Sequence, residues 1–145
     1  MAKFSKGIYH PKNPSKYIGK SYPTWRSSWE KTVMIWLDSS PGVISWGSEM
    51  IKIPYQHPVT GKICNYIPDL MIKYRDKSGN EFVECVEIKP KKETIMEYAK
   101  SNHDRLALAI NQSKWQQAQM WCKSKGITFR VITETDIFGV KKKKK

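Results

Sequence analysis

The chain has 145 residues, 39 % of them apolar, with a formal charge of +13 and a pI of about 9.7. That length supports one domain with one core, and the composition excludes global disorder. There is no signal peptide and no apolar run long enough to span a membrane. The expectation is therefore a soluble protein that works inside a cell or is packaged from within one.

Five of the charges are the terminal run Lys141–Lys145, a tail (141–145), and about +8 remains elsewhere. This excess predicts attraction to a polyanion, nucleic acid before any other, against the alternative of a merely soluble basic protein. Cys64, Cys85 and Cys122 have no C-x-x-C spacing and suit ordinary thiols in a reducing compartment. His10, His57 and His103 are scattered, so no zinc site is expected.

Residues 1–24 read as a basic arm. Lys3, Lys6, Lys12, Lys16 and Lys20 come without an acid, and Pro11, Pro14 and Pro23 break any helix. Tyr9, Tyr17 and Tyr22 are interleaved with them. Such a segment suits a phosphate backbone, or else it packs its tyrosines on the domain. Residues 25–140 form that domain.

Trp25–Ser39 has the spacing of a helix, with Trp29, Val33, Trp36 and Leu37 on one stripe. Thr24 or Ser27 can cap it, and Ser39 to Gly42 stop it. Glu30 lies beside the stripe. It is either a surface acid favouring the helix N-terminus or a carboxylate projecting toward a neighbouring strand. Val43–Tyr55 is extended, with Gly47-Ser48 as a bend or bulge. The turn His57–Gly61 leads into a strand Ile63–Arg75, and the turn Asp76–Asn80 into Glu81–Lys89. Together these make a three-strand antiparallel meander.

Pro90 ends the third strand, and 93–101 is a loop or short helix. Asp104–Lys125 is helical, with Leu108, Trp115, Ala118 and Cys122 on one stripe and Ala107, Ile110 and Trp121 beside it. Alternatively Ser113-x-x-Gln116 is a capping box that restarts the helix after a break at Asn111-Gln112. Gly126 suits the C-cap. Ile127–Thr133 is a last strand, reached by a helical crossover and so parallel to Glu81–Lys89. The fold class is α/β (α+β), with a mixed central sheet and flanking helices.

Strand alternation puts Cys85, Glu87 and Lys89 on one face, and Phe82, Glu84, Val86 and Ile88 on the other. The turn between the strands brings Asp69 beside Glu87. Two carboxylates and a lysine at one sheet end suit Mg2+, which takes hard oxygen ligands and keeps several waters. Asp69, Glu87 and the carbonyl of Ile88 are the candidate ligands, and Lys89 would orient water or stabilise developing charge. A salt-bridged hairpin edge accounts for the same spacing.

Glu49 is a structural acid at a strand bend or lies near the metal. Asn111 and Lys114 interrupt the apolar face of the last helix, marking a break or reaching a phosphate. Lys91 and Lys92 follow the third strand directly and suit the DNA backbone. Trp25, Trp29, Trp36, Trp115 and Trp121 are expected in the core rather than as stacking platforms.

Pro68-Asp69, followed by Glu87-Ile88-Lys89 behind a helix bearing Glu30, resembles the PD-(D/E)xK nuclease superfamily of restriction-endonuclease-like fold. A longer string is similar to the head-completion nucleases of T-even-like tailed phages. It includes Pro11–Tyr17, Arg26-Ser27-x-Trp29-Glu30, Trp46–Glu49, Ile53–Tyr55, Glu87–Glu93, Lys114-Trp115-x-x-Ala118-Gln119 and Phe129–Glu134. TnsA-type transposase endonucleases resemble it more distantly.

The resemblance implies a metal-dependent DNA endonuclease with Asp69, Glu87 and Lys89 as its core and Glu30 as the helix carboxylate. Mg2+ is the expected metal, with Mn2+ able to substitute. Lys12, Lys16, Arg26, Lys91, Lys92 and Lys114 are the expected DNA contacts. It further implies a role in finishing phage heads after packaging, acting on double-stranded or branched DNA ends. Phage head or portal proteins would be partners, and a homodimer is what cutting both strands calls for. The place would be the host cytoplasm during assembly, or the virion. A non-catalytic DNA-binding plug of the head and an RNA-binding basic module are the alternatives.

Overall fold

The computed structural model describes residues 6–143, without the side chains of 139–143. Lys3 and the side chains of the lysine tail 141–145 thus lie outside the described residues. In chain order the elements are β1 (Gly7–Ile8), β2 (Thr24–Trp25), α1 (Ser28–Ser39), β3 (Val43–Ser48), β4 (Ile53–Gln56) and β5 (Ile63–Tyr66). Then come β6 (Leu70–Arg75), β7 (Glu81–Ile88), α2 (Asn102–Ser124), β8 (Thr128–Ile132) and α3 (Glu134–Lys143). Among the described residues no helix is long and apolar enough to cross a membrane.

The central sheet has the order β3-β6-β7-β8. The first three strands are antiparallel neighbours, and β8 lies parallel to β7, as the α2 crossover requires. This is the expected mixed sheet of an α+β fold. The simple meander needs correction, because the expected strands Val43–Tyr55 and Ile63–Arg75 are each broken in two. β4 and β5 pair with each other as a separate two-stranded hairpin inserted between β3 and β6.

The break has a local cause. Glu49, not Gly47-Ser48, turns the chain, with a left-handed φ of 52°. Its N–H donates to the Asp69 carbonyl at 3.0 Å, closing the base of the inserted hairpin. Pro68 at the return has no N–H to continue a ladder.

α1 starts at Ser28, where the Ser27 hydroxyl accepts the Glu30 N–H at 3.1 Å. Trp25 pairs in β2 instead. The inward face is Val33, Met34, Leu37 and Asp38. Trp36, expected in the stripe, is 55 % exposed and borders a cavity of about 1000 Å³ between α1, the sheet and α3. The reason is Asp38: donors from the N-terminal segment draw it inward, so the buried face centres on positions 34 and 38. Position 36 lies about 200° round the helix from Met34.

α2 is continuous through Asn111-Gln112, with Ser101 as its cap. Leu108, Trp115, Ala118 and Cys122 are its buried residues, as their spacing predicts. Two short 3-10 turns, Lys91–Glu93 and Met96–Tyr98, occupy the ambiguous stretch before it. α3 was not anticipated. Its start is fixed by the Asp136 carboxylate, which accepts the Thr133 N–H at 2.8 Å.

Residues 6–24 lie on the domain. The Ile18 N–H donates to the Trp46 carbonyl at 3.0 Å, and Tyr9 and Tyr17 pack against the buried Trp46 ring. Two apolar layers result. On one sheet face, α1 covers Trp46, Leu70, Val86 and Ile88. On the other, α2 and the β4–β5 hairpin, through Ile53 and Tyr66, cover Cys85 and Phe129.

Candidate active site

The β6–β7 register pairs Leu70 with Val86 and Met71 with Cys85. One step further along both strands, Asp69 faces Glu87, at the end of the sheet where the inserted hairpin returns. Asp69 Oδ2 accepts the Ile88 N–H at 2.8 Å. Of Ile88, it is the amide that the carboxylate engages. Glu87 is only 8 % exposed, and its Oε1 accepts the Tyr66 hydroxyl at 2.7 Å. Lys89 Nζ stands 4.0 Å from the other oxygen, Oε2. From α2, Lys114 Nζ lies 4.6 Å from the centroid of the Tyr66 ring.

Crowding acids with little solvent has the expected electrostatic result. Burial pushes the Glu87 carboxyl up to about 7, and the neighbouring Asp69 charge adds to this. The Tyr66 hydroxyl, Lys89 and Lys114 pull the other way. Burial also raises Asp69, against the Ile88 N–H and the Lys89 charge. Lys114 is lowered by burial, which the Glu87 carboxylate opposes. Each group is thus held away from its comfortable charge state, and each is partly rescued by the others.

The remaining sequence candidates take definite places. Glu30 Oε1 accepts the Arg26 N–H at 3.1 Å. Its carboxyl is raised by burial, opposed by that bond, with the Asp69 charge adding to the rise. The Arg26 guanidinium spans both oxygens of Glu49, at 3.0 and 3.4 Å. Glu49 adjoins Asp69 through its backbone while its carboxylate faces Arg26. Lys16 Nζ donates to the Ser40 carbonyl at 2.6 Å, and the Lys12 N–H binds Asp38 while its side chain is exposed. Lys91 and Lys92 are exposed on the turn after β7, and the Lys91 N–H is anchored by Glu134 Oε1 at 2.7 Å. Asn111 is half-buried on α2, ahead of Lys114.

Among the described residues no three His, Cys, Asp or Glu side chains converge closely enough to enclose an ion. Asp69 and Glu87 are the two carboxylates brought face to face at the end of the sheet, while the Glu30 and Glu49 carboxylates lie beside Arg26. Sequence reasoning missed Tyr66. Nothing in strand alternation signals it, because it belongs to the inserted hairpin and reaches Glu87 from outside the central sheet.

The family described as TnsA-like endonuclease, N terminal, matches residues 40–134. That span runs from the end of α1 to the first residue of α3 and contains Asp69, Glu87, Lys89 and Lys114. The chain belongs to this endonuclease family. It is also 41 % identical, over 139 residues, to the head completion nuclease of Enterobacteria phage T4, covering 88 % of this chain and 90 % of that protein. The resemblance read from the sequence, to TnsA-type and phage head-completion nucleases, agrees with both matches.

Proposed function

We propose that the chain is a Mg2+-dependent DNA endonuclease that hydrolyses phosphodiester bonds at ends or branches during phage head completion. The observation that carries this is the Asp69–Glu87 pair, a half-buried and a buried carboxylate facing each other at the end of β6 and β7, with Lys89 and Lys114 beside them. Burial and mutual repulsion favour a cation between them. Mg2+ commonly binds through one or two carboxylates and keeps several waters, which suits a site with two close acids. Asp69 and Glu87 would hold it, with the carbonyl of Ile88 as a third donor and Mn2+ as a substitute. When bound, the ion supplies Lewis acidity toward a phosphate oxygen and lowers the pKa of bound water.

The chain's own groups do the rest. The Ile88 N–H orients Asp69, and the Tyr66 hydroxyl orients Glu87. Lys89 emerges beside Glu87 and presents its ammonium where negative charge develops. Glu30 contributes a further carboxylate from the start of α1. Lys91, Lys92 and Lys12 present exposed cations to the DNA backbone. Arg26, Lys16 and Lys114 would join them by exchanging protein partners for phosphate. Phage head or portal proteins are the proposed protein partners, with assembly in the host cytoplasm and two copies acting on a duplex.

Incubation with plasmid DNA and Mg2+ tests the reading. Wild type should cut, EDTA should stop it, and Asp69→Ala and Lys89→Ala should each lose cleavage by about 100-fold or more. Cleavage that survives both substitutions would place the chemistry elsewhere. A wild type that binds DNA without cutting it would instead favour a non-catalytic plug of the phage head.

A further inference from the structure

We propose that Tyr66 is a positioning residue of this site, its hydroxyl fixing Glu87 and its ring fixing Lys114. The inference rests on the nuclease reading and deepens it. Tyr66 ends β5, opposite Ile53 in the inserted hairpin. It is 5 % exposed, so its two polar contacts are made away from competing water. The Phe129 ring, on β8, meets it edge-on at 6.0 Å between centroids, inclined by 73°. That contact sets the plane of the phenol.

The hydroxyl then takes one oxygen of Glu87 at 2.7 Å, leaving the other toward Lys89. Ligating carboxylates are usually held in this way by an outer hydrogen bond. The ring face carries the Lys114 ammonium at 4.6 Å, within cation–π range. The phenol has one proton, and it goes to Glu87. One side chain thus couples the hairpin, α2 and the end of β7. The hairpin that interrupts the sheet is what delivers it.

Tyr66→Phe separates the two roles, because it keeps the ring and removes the hydroxyl. Calcium titration by calorimetry without DNA reads the first role, and DNA affinity in EDTA reads the second. Tyr66→Phe should weaken Ca2+ binding by about 10- to 100-fold and leave DNA affinity in EDTA within about twofold, since the cation–π contact remains. Tyr66→Leu should weaken both. Lys114→Met should tighten Ca2+ binding, by removing a competing cation, while weakening DNA binding. A Tyr66→Phe protein with wild-type melting and wild-type Ca2+ affinity overturns the inference. If Asp69→Ala also binds Ca2+ like wild type, the metal-site reading fails with it. If Asp69→Ala loses Ca2+ and Tyr66→Phe does not, only the positioning role fails.

Discussion

Asp69 Oδ2 takes the N–H of Ile88 at 2.8 Å, so a side chain stands at the end of β6 where the next backbone carbonyl of a ladder would stand. The bond holds Asp69 against the end of β7, one residue from Glu87. It also keeps a carboxylate at a place that burial disfavours. Removing the charge should therefore help the fold and harm the chemistry.

For Glu87 the direction can be worked out. Its folded value of about 7 lies above the ordinary 4.5. Between those values the native state holds more protons than the unfolded chain, so this group's contribution to stability falls as pH rises. At pH 8, Glu87→Gln should stabilise the protein by on the order of 1–3 kcal/mol while abolishing cleavage. Mg2+ should raise the melting temperature of wild type by mass action and leave the Gln variant almost unmoved. Urea unfolding at pH 5 and pH 8, with and without Mg2+, checks this. A Gln variant less stable than wild type at pH 8 contradicts it.

The core of the site was legible because strand alternation and hairpin register are local. Once β6 and β7 are neighbours, Asp69, Glu87 and Lys89 follow. The buried stripe of α2 was legible for the same reason. Tyr66 was not, since Ile63–Arg75 alternates alike whether it is one strand or two. What decides is a left-handed Glu49 bonded to Asp69, twenty residues later. Trp36 was misplaced because its helix is turned by Asp38, whose donors lie 25 to 29 residues away. α3 carries no strong apolar stripe, and the lysine tail obscured it further.

Glu30 can be read as a cap or as a working acid, and the geometry lets one pair of variants separate them. Its N–H is capped by Ser27, and its carboxylate returns to the Arg26 N–H. This is a reciprocal device close to a capping box. Glu30→Gln keeps an acceptor oxygen and removes the charge, so melting should stay near wild type while cleavage falls by at least about tenfold. Glu30→Ala should lose cleavage and also about 1 kcal/mol of stability. Wild-type cleavage by the Gln variant would leave Glu30 as a cap alone.

The N-terminal segment is tied down through Asp38, and acid should release it. Asp38 is 2 % exposed and accepts the Tyr9 hydroxyl at 2.5 Å, the Lys12 N–H at 2.7 Å and the Asn13 N–H at 3.0 Å. Burial alone would raise its pKa, but the Tyr9 hydroxyl and the two N–H groups prevail and hold it below the ordinary 3.8. A depressed carboxyl contributes stability above its unfolded value and loses it as pH falls through the folded one. Asp38→Asn puts an amide against donors and should cost about 2–4 kcal/mol. Urea unfolding from pH 5 to pH 3 should show a shallower acid loss in the variant than in wild type. Trypsin should also cut the variant first between Lys6 and Lys20, because the bonds from Lys12 and Asn13 that pin this stretch to α1 have lost their acceptor. An unchanged acid slope would assign the linkage to another carboxylate, and unchanged digestion would mean that Trp46, through Tyr17 and Ile18, holds the segment without Asp38.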